Sequence, residues 1–216
     1  MKKIYIKLFI IMTILLLLIS TNKVNADLPL IGKTIIIDAG HGGLDPGTTY
    51  KDIYEKNINL SISIYLEKYL SKYGASVILT RKNDSDLANG ARKNRKKIDF
   101  DNRIAIINQN FIDLYLSIHL NYLANPNYYG AQVFYNKDNY ELALSIQNYL
   151  NNNLSTNRSI KRIPSSTYMY DKLNNPGVLI ECGFLSNPGE RKKLLTKNYQ
   201  EKIAKAIADS IVKYYN

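Results

Sequence analysis

Apolar and polar positions follow two rhythms along this chain. From Lys33 onward, short runs dense in β-branched residues ("KTIIID", "ASVILT", "DLYLSI", "AQVFY", "GVLIE") take turns with longer stretches in which apolar residues recur three and four apart. The short runs read as strands buried on both faces, and the 3.6-residue recurrence as amphipathic helices. Behind the first run and a glycine-rich loop, Asp52 and Glu55 stand at capping-box spacing ahead of Ile58, Ile62, Tyr65, Leu66, Tyr69 and Leu70, and Gly74 closes that helix. The polar, basic segment Arg81–Lys97 reads as a loop before a helix carrying Ile104 and Ile107 and bounded by Asn108. Asp138 with Glu141 marks another capping box, before Leu142, Ile146 and Tyr149. In "NPGE", Asn187 is the cap, Pro188 the first helical residue and Glu190 the capping-box acid; Asn198 with Glu201 repeats the device before Ile203, Ile207 and Ile211. The stretch 151–175 is weakly patterned.

Strands joined through helices predict one α/β domain over residues 33–216, a single domain whose twisted, mostly parallel sheet is flanked by helices on both faces. Its chemistry is expected past the carboxyl ends of the strands, where open α/β sheets bind ligands.

Residues 1–26 have a different character. Lys2, Lys3 and Lys7 precede an apolar stretch from Leu8 to Ile19, and Val24 and Ala26 stand at signal-peptidase spacing. The segment reads as a signal peptide or, with the apolar run counted from Ile4, as an uncleaved membrane anchor; either way the domain is exported. Membrane contact is then expected only through this segment, if it stays uncleaved. A hydrophobic fraction of 45% with 22% charged residues argues for a globular core and against disorder. Removing residues 1–26 takes four lysines and no acids, lowering the formal charge from +11 to +7. A basic exported surface suits teichoic acids, peptide carboxylates or lipid headgroups, and no nucleic-acid module pattern is present. The densest basic cluster, "ARKNRKK" at Ala91–Lys97, has two readings: a solvated loop or helix end, or a contact for a wall polyanion. Cys182 stands alone, which excludes an intramolecular disulfide and a CxxC site, and strand alternation turns it away from the face carrying Glu181.

The chain has only two histidines, and both fall at strand ends. His41 lies in "DAGHGGLDPG" after the first strand, His119 ends "DLYLSI", Glu181 ends "GVLIE", and Glu55 opens the first helix on the same rim. Two imidazoles and one carboxylate suffice as protein ligands for a catalytic zinc, and a further carboxylate can then serve as base. Taken singly, each residue has an ordinary alternative: a surface histidine on a turn for His41, a satisfied core histidine for His119, a helix cap for Glu55, a buried acid paired with lysine for Glu181. Asp38 either supports the glycine turn or hydrogen-bonds a ligand's outer nitrogen. The loop lacks the Lys-Ser/Thr of a phosphate loop and the spacing of a dinucleotide fingerprint, and no HExxH occurs.

The blocks "IIIDAGHGGLDPG", "EKNINLSIS", "VILTR", "RIAIIN", "LSIHLN" and "GVLIECGFLSNPGE", in this order from about Lys33 to the C-terminus, resemble the zinc-dependent N-acetylmuramoyl-L-alanine amidases of the bacterial cell wall. The resemblance implies an α/β fold, one zinc ion held by His41, Glu55 and His119, Glu181 as the catalytic acid-base residue, and Asn121 lining the substrate cleft. It implies peptidoglycan as substrate, cut between the lactyl group of muramic acid and L-alanine. Regulated envelope members carry an inserted acidic helix over the metal, whereas the excursion Asp84–Lys97 here ends basic and offers no replacement ligand. The signal-plus-domain layout resembles the germination-specific amidases of spore formers, which implies a spore-cortex role in the cell wall or forespore intermembrane space and an activating or targeting protein partner. Other classes remain open at this point: a noncatalytic wall-binding protein on the same scaffold, a zinc peptidase cutting within the stem peptide, and a polyanion binder.

Overall fold

The computed structural model describes residues 28–216 together with Tyr5 and Met12, so the expected signal peptide or anchor over 1–26 lies outside the described residues. In chain order the elements are β1 (Thr34–Ala39), β2 (Thr49–Tyr50), β3 (Ile53–Tyr54), α1 (Glu55–Lys72), β4 (Ser76–Leu79), α2 (Arg95–Ile107), β5 (Leu114–Asn121) and β6 (Gln132–Tyr135), followed by α3 (Tyr140–Leu154), β7 (Lys161–Arg162), α4 (Tyr168–Asp171), β8 (Gly177–Phe184), α5 (Pro188–Leu194) and α6 (Lys197–Tyr215).

Six strands form one sheet in the order β4-β1-β5-β8-β6-β7. β4, β1, β5 and β8 run parallel, β6 is antiparallel to β8, and β7 is parallel to β6. The expectation of a mostly parallel sheet therefore holds, with β6 and β7 reversed. The reason is the connection: the segment 122–131 between β5 and β6 contains no helix, and a strand reached without a helical crossover is free to return antiparallel.

Alternation along the strands sends side chains into two cores. Ile35 and Ile37 of β1, Leu116 and Ile118 of β5, and Ile180 and Cys182 of β8 pack under α1, α3 and α6. Ile36 and Tyr115 point the other way, against Ile107 of α2 and Met169 and Tyr170 of α4. Cys182 is buried in the first core, on the face opposite Glu181, as alternation requires.

Three expected helix starts differ from those observed. Asp52 sits in the turn of the β2–β3 hairpin, α1 begins at Glu55 behind Tyr54, and the Glu55 side chain turns into the interior, so that capping box does not form. Asn139, not Asp138, precedes α3, and Thr196 precedes α6, leaving Asn198 and Glu201 inside the helix. At α5 the cap is as expected: Asn187 Oδ1 accepts from the Glu190 N–H at 2.9 Å. Glu190, however, accepts from the Phe184 N–H instead of reaching back to the cap. The weakly patterned stretch holds β7 and α4, both too short for periodicity to register.

Candidate metal centre

β1, β5 and β8 lie side by side, and their carboxyl ends carry the three residues expected there. His119 and Glu181 are directly paired across β5 and β8 and share the face on which Asp38 leaves β1. The register slips just beyond that pair, a bulge of the kind found where a strand ends at a functional rim. β1 continues into the glycine loop that carries His41, and the β2–β3 hairpin then brings the chain back so that the first turn of α1 places Glu55 between the two imidazoles.

The resulting geometry is tight. His41 Nε2 lies 3.2 Å and His119 Nδ1 3.1 Å from the same oxygen, Glu55 Oε1. One donor atom from each of the three residues falls within 4.8 Å of the others, a nitrogen–oxygen–nitrogen set suited to a divalent metal ion. Two glycines make this approach possible. A Cβ on Gly40 would stand 2.3 Å from the His119 ring, and one on Gly47, whose φ is +65°, would stand 2.6 Å from the His41 ring and 2.7 Å from Glu55 Oε2.

Two of the three donors, Glu55 and His41, are oriented from behind. Glu55 Oε2 accepts from the Thr48 N–H at 2.8 Å, while Oε1 accepts from the Leu120 N–H at 2.9 Å and from Asn59 Nδ2 at 3.1 Å. Burial works against its charge, but the hydrogen bonds and charges of His119 and His41 hold its carboxyl well below the usual carboxylate range. His41 Nδ1 pairs with Asp45 Oδ2 at 2.9 Å, leaving Nε2 for the centre. Burial would lower the His41 pKa, yet the bonds to Asp45 and Glu55 prevail and raise it to about 9.

Glu181 opens onto the same cleft as His41, Glu55, His119 and Asn121. Its Oε2 atom is buried without a hydrogen-bond partner among the described residues, and burial together with the Glu55 charge pushes its pKa up to about 8. A buried acid paired with lysine is thus not what the structure holds. Asn121 lies two residues beyond His119, at the end of β5. Asp38 meets neither imidazole; it accepts from Thr80, Ser117 and Arg103 beneath the glycine turn, the first of its two expected roles.

The family comparison decides what this rim belongs to. The family model described as N-acetylmuramoyl-L-alanine amidase matches residues 35–213. The chain belongs to that family. It is an enzyme, an amidase acting on the N-acetylmuramoyl-L-alanine linkage of peptidoglycan. The germination-specific N-acetylmuramoyl-L-alanine amidase of Bacillus subtilis (strain 168) is 41% identical over 195 residues, 87% of this chain and 82% of the relative. The solved CwlD amidase from Clostridioides difficile, in complex with the GerS lipoprotein, is 43% identical with a TM-score of 0.79, covering 84% of this chain and 98% of that one. The catalytic domain of CwlV from Bacillus (Paenibacillus) polymyxa var. colistinus gives 27% and 0.73, over 84% of this chain and 97% of that one.

Sequence reasoning left Asp45, Arg81 and Arg103, as well as Asn59 behind Glu55, without these roles. Asp45 stands four residues after His41, a spacing that signals little on a loop. Arg81 and Arg103, quoted only as parts of blocks, are buried behind the loop and between them take the carbonyls of three successive residues. Both donate to Ala39 O, Arg81 donates to Gly40 O at 3.0 Å, and Arg103 donates to His41 O at 2.7 Å. Their grip bears on His41, which sits at φ 61°, a left-handed conformation uncommon outside glycine. Arg103 is itself fixed by Asp38 and Asp99, and although burial disfavours its charge, those two acids raise its pKa above the ordinary arginine value.

Proposed function

We propose that this amidase is a zinc hydrolase, with one ion held by His41, Glu55 and His119, Glu181 as the acid-base residue, and Asn121 lining the bound substrate. The observation that carries the reading is the convergence of the three donors in one cleft with Glu181, whose Oε2 is buried and unpartnered among the described residues. The donor set supports the choice of metal: two imidazole nitrogens and one carboxylate oxygen are the protein ligands of a common class of catalytic zinc site. The chemistry a zinc ion supplies is Lewis-acid polarisation of the amide carbonyl and activation of water near neutral pH.

The protein's part follows from its own groups. Glu55, fastened by two backbone N–H groups, fixes the carboxylate donor so that little rearrangement accompanies reaction. Glu181 takes a proton from the water that attacks the lactyl carbonyl and returns it to the departing alanine nitrogen. Burial and the Glu55 charge raise the affinity of Glu181 for a proton, which suits the return of that proton to the leaving nitrogen.

In this reading residues 1–26 export the domain, residues 33–216 form the catalytic unit, and the enzyme acts outside the cytoplasm on spore-cortex peptidoglycan, in the wall or forespore intermembrane space. The spore assignment draws on the germination-specific relative, and the solved complex with a lipoprotein supports an exported protein partner that targets or activates the domain. The test is mass analysis of purified peptidoglycan incubated with the protein, with and without zinc. Free stem peptide and peptide-less muramic acid are expected with zinc only; cuts inside the stem would replace the amidase reading with a peptidase. Glu181→Gln should retain zinc and lose about 10³-fold or more in cleavage. An active Glu181→Gln protein would remove that residue from the proton transfer.

A further inference from the structure

The basic cluster Ala91–Lys97 finds separate employments once folded. Arg95 pairs with Asp86 at 2.6 Å and Lys97 with Asp101 at 2.6 Å. Lys96, in the first turn of α2, is exposed and lines the metal cleft beside His41, Asp45, Glu55, His119 and Glu181. Among the described residues no acid lies within ion-pair distance of it. The other cations near the cleft are committed: Lys56 to Asp84 and Gly43 O, Arg81 to loop carbonyls, Arg103 to Asp38 and Asp99. Lys96, whose ammonium lies 5.8 Å from the centre of the Phe100 ring, is therefore the positive side chain of the cleft that no carboxylate claims among the described residues. Its field already reaches Asp45, whose carboxyl is held low first by the His41 hydrogen bond and in part by Lys96.

The substrate offers a matching charge close to the bond cut. Next to L-alanine in the stem peptide stands a D-glutamate linked through its side-chain carboxyl, so its α-carboxyl is a free anion unless amidated. We propose that Lys96 is a specificity residue that pairs with this α-carboxylate and makes the enzyme prefer stems in which it is free over stems in which it is amidated. The proposal rests on the amidase reading for its substrate, but a binding measurement tests it apart from cleavage. A surface lysine–carboxylate pair contributes little in bulk water, and more where the walls of a cleft restrict solvent around it.

The experiment compares two synthetic tripeptides, L-Ala-γ-D-Glu-L-Lys and its D-isoglutamine counterpart, by calorimetry against the zinc-loaded protein, alongside kcat and KM on muropeptides of both kinds. The wild type should bind the acid about fivefold to tenfold more tightly than the amide. Lys96→Gln should abolish that preference and raise KM for the acid substrate by the same factor with kcat little changed, because a contact made equally in ground and transition states moves KM alone. Lys96→Arg should keep the preference, and Lys93→Gln, changed outside the cleft, should leave it intact. Equal affinities in the wild type, or a preference that survives Lys96→Gln, would overturn the proposal. So would a Lys96→Gln protein that loses binding to a glycerol-phosphate polymer while its peptide preference stands, since the residue would then serve an anionic wall polymer. Peptide preference without any release of peptide from muramic acid would sink the amidase reading and leave Lys96 as an acidic-peptide contact.

Discussion

The face of the sheet under α1, α3 and α6 is packed by Ile62, Leu66, Ile146, Ile203 and Ile207 against strand residues such as Ile37, Ile118 and Ile180. The face under α2 carries, besides Ile36 and Ile107, a buried constellation of Asp38, Ser117, Asp99 and Arg103. Both faces are equally inaccessible, but burial does different things on each. Apolar contact is non-directional and roughly proportional to area, so the apolar packing of the first face contributes stability without aiming any atom, and the aiming done from that side comes from a polar residue, Asn59 of α1, which donates to Gly40 O at 3.3 Å and Glu55 Oε1 at 3.1 Å. Buried charge is costly unless geometry and hydrogen bonds compensate it, and its return here is direction: Arg103 is locked between two acids and spends its remaining donors on Ala39 O and His41 O. The loop that carries His41 is thus held chiefly by the face that gains less from its burial.

That contrast is broken most severely by Arg103→Met. Removing one member of a buried pair leaves Asp38 and Asp99 uncompensated, at a cost of about 3–5 kcal/mol in unfolding free energy. The double variant Asp38→Asn/Arg103→Met sharpens the point. It relieves the stranded charge on Asp38 and should recover part of the stability in denaturant titrations, yet it leaves the His41 carbonyl unheld, so zinc affinity should stay at least tenfold below wild type. Recovery of both together would make the arginine a stabiliser with no share in positioning.

Ile207→Ala probes the other face, with a smaller expected effect. The side chain is fully buried in α6, and its loss should cost about 3 kcal/mol through lost transfer energy and the cavity left behind. Zinc affinity measured below the unfolding transition should stay within about twofold of wild type, because the side-chain hydrogen bonds of α6 run to Ser61, Tyr73 and Leu194 and not to the loop. A matching fall in affinity would show the two faces to be mechanically coupled.

How much of this was legible in the sequence differs in the same way between the faces. The apolar core was open to reading, because period-two and period-3.6 recurrences are local: the five strand runs and the helical stripe through Ile203, Ile207 and Ile211 lie where the pattern put them. His41, Glu55, His119 and Glu181 were brought to one rim by strand-end logic, and they do meet there. What the pattern lacked was partners for polar groups. Arg81 and Arg103 act on carbonyls about forty and sixty residues away, and nothing in their local sequence says so. The Asn187 cap held, and the cap expected at the first helix failed for a related reason. Asp52 and Glu55 have the spacing of a capping box, but the β2–β3 hairpin removes Asp52 from the helix start, and the site claims the Glu55 side chain. The reversal of β6 was carried by an absence, the missing helical pattern in "NYLANPNYYG", which is easier to overlook than a motif.

Asp45 lies between the two regimes, a partly exposed rim residue that acts by orientation with little burial to oppose it. Its Oδ2 faces His41 Nδ1 and its Oδ1 accepts from the Gly47 N–H at 3.1 Å, so it ties the imidazole to the glycine whose closeness the site needs. Asparagine in its place keeps the size and one acceptor but removes the charge that favours a basic imidazole. Asp45→Asn should therefore lower zinc affinity by about 10- to 100-fold, the range for carboxylates hydrogen-bonded to metal-bound histidines, while unfolding free energy of the metal-free protein changes by less than about 1 kcal/mol. This is the inverse of Ile207→Ala: affinity moves and stability does not. Unchanged zinc affinity in a competition titration would mean that the arginine-held backbone alone fixes the His41 ring, and that the buried charges do the whole of the aiming without help from the rim.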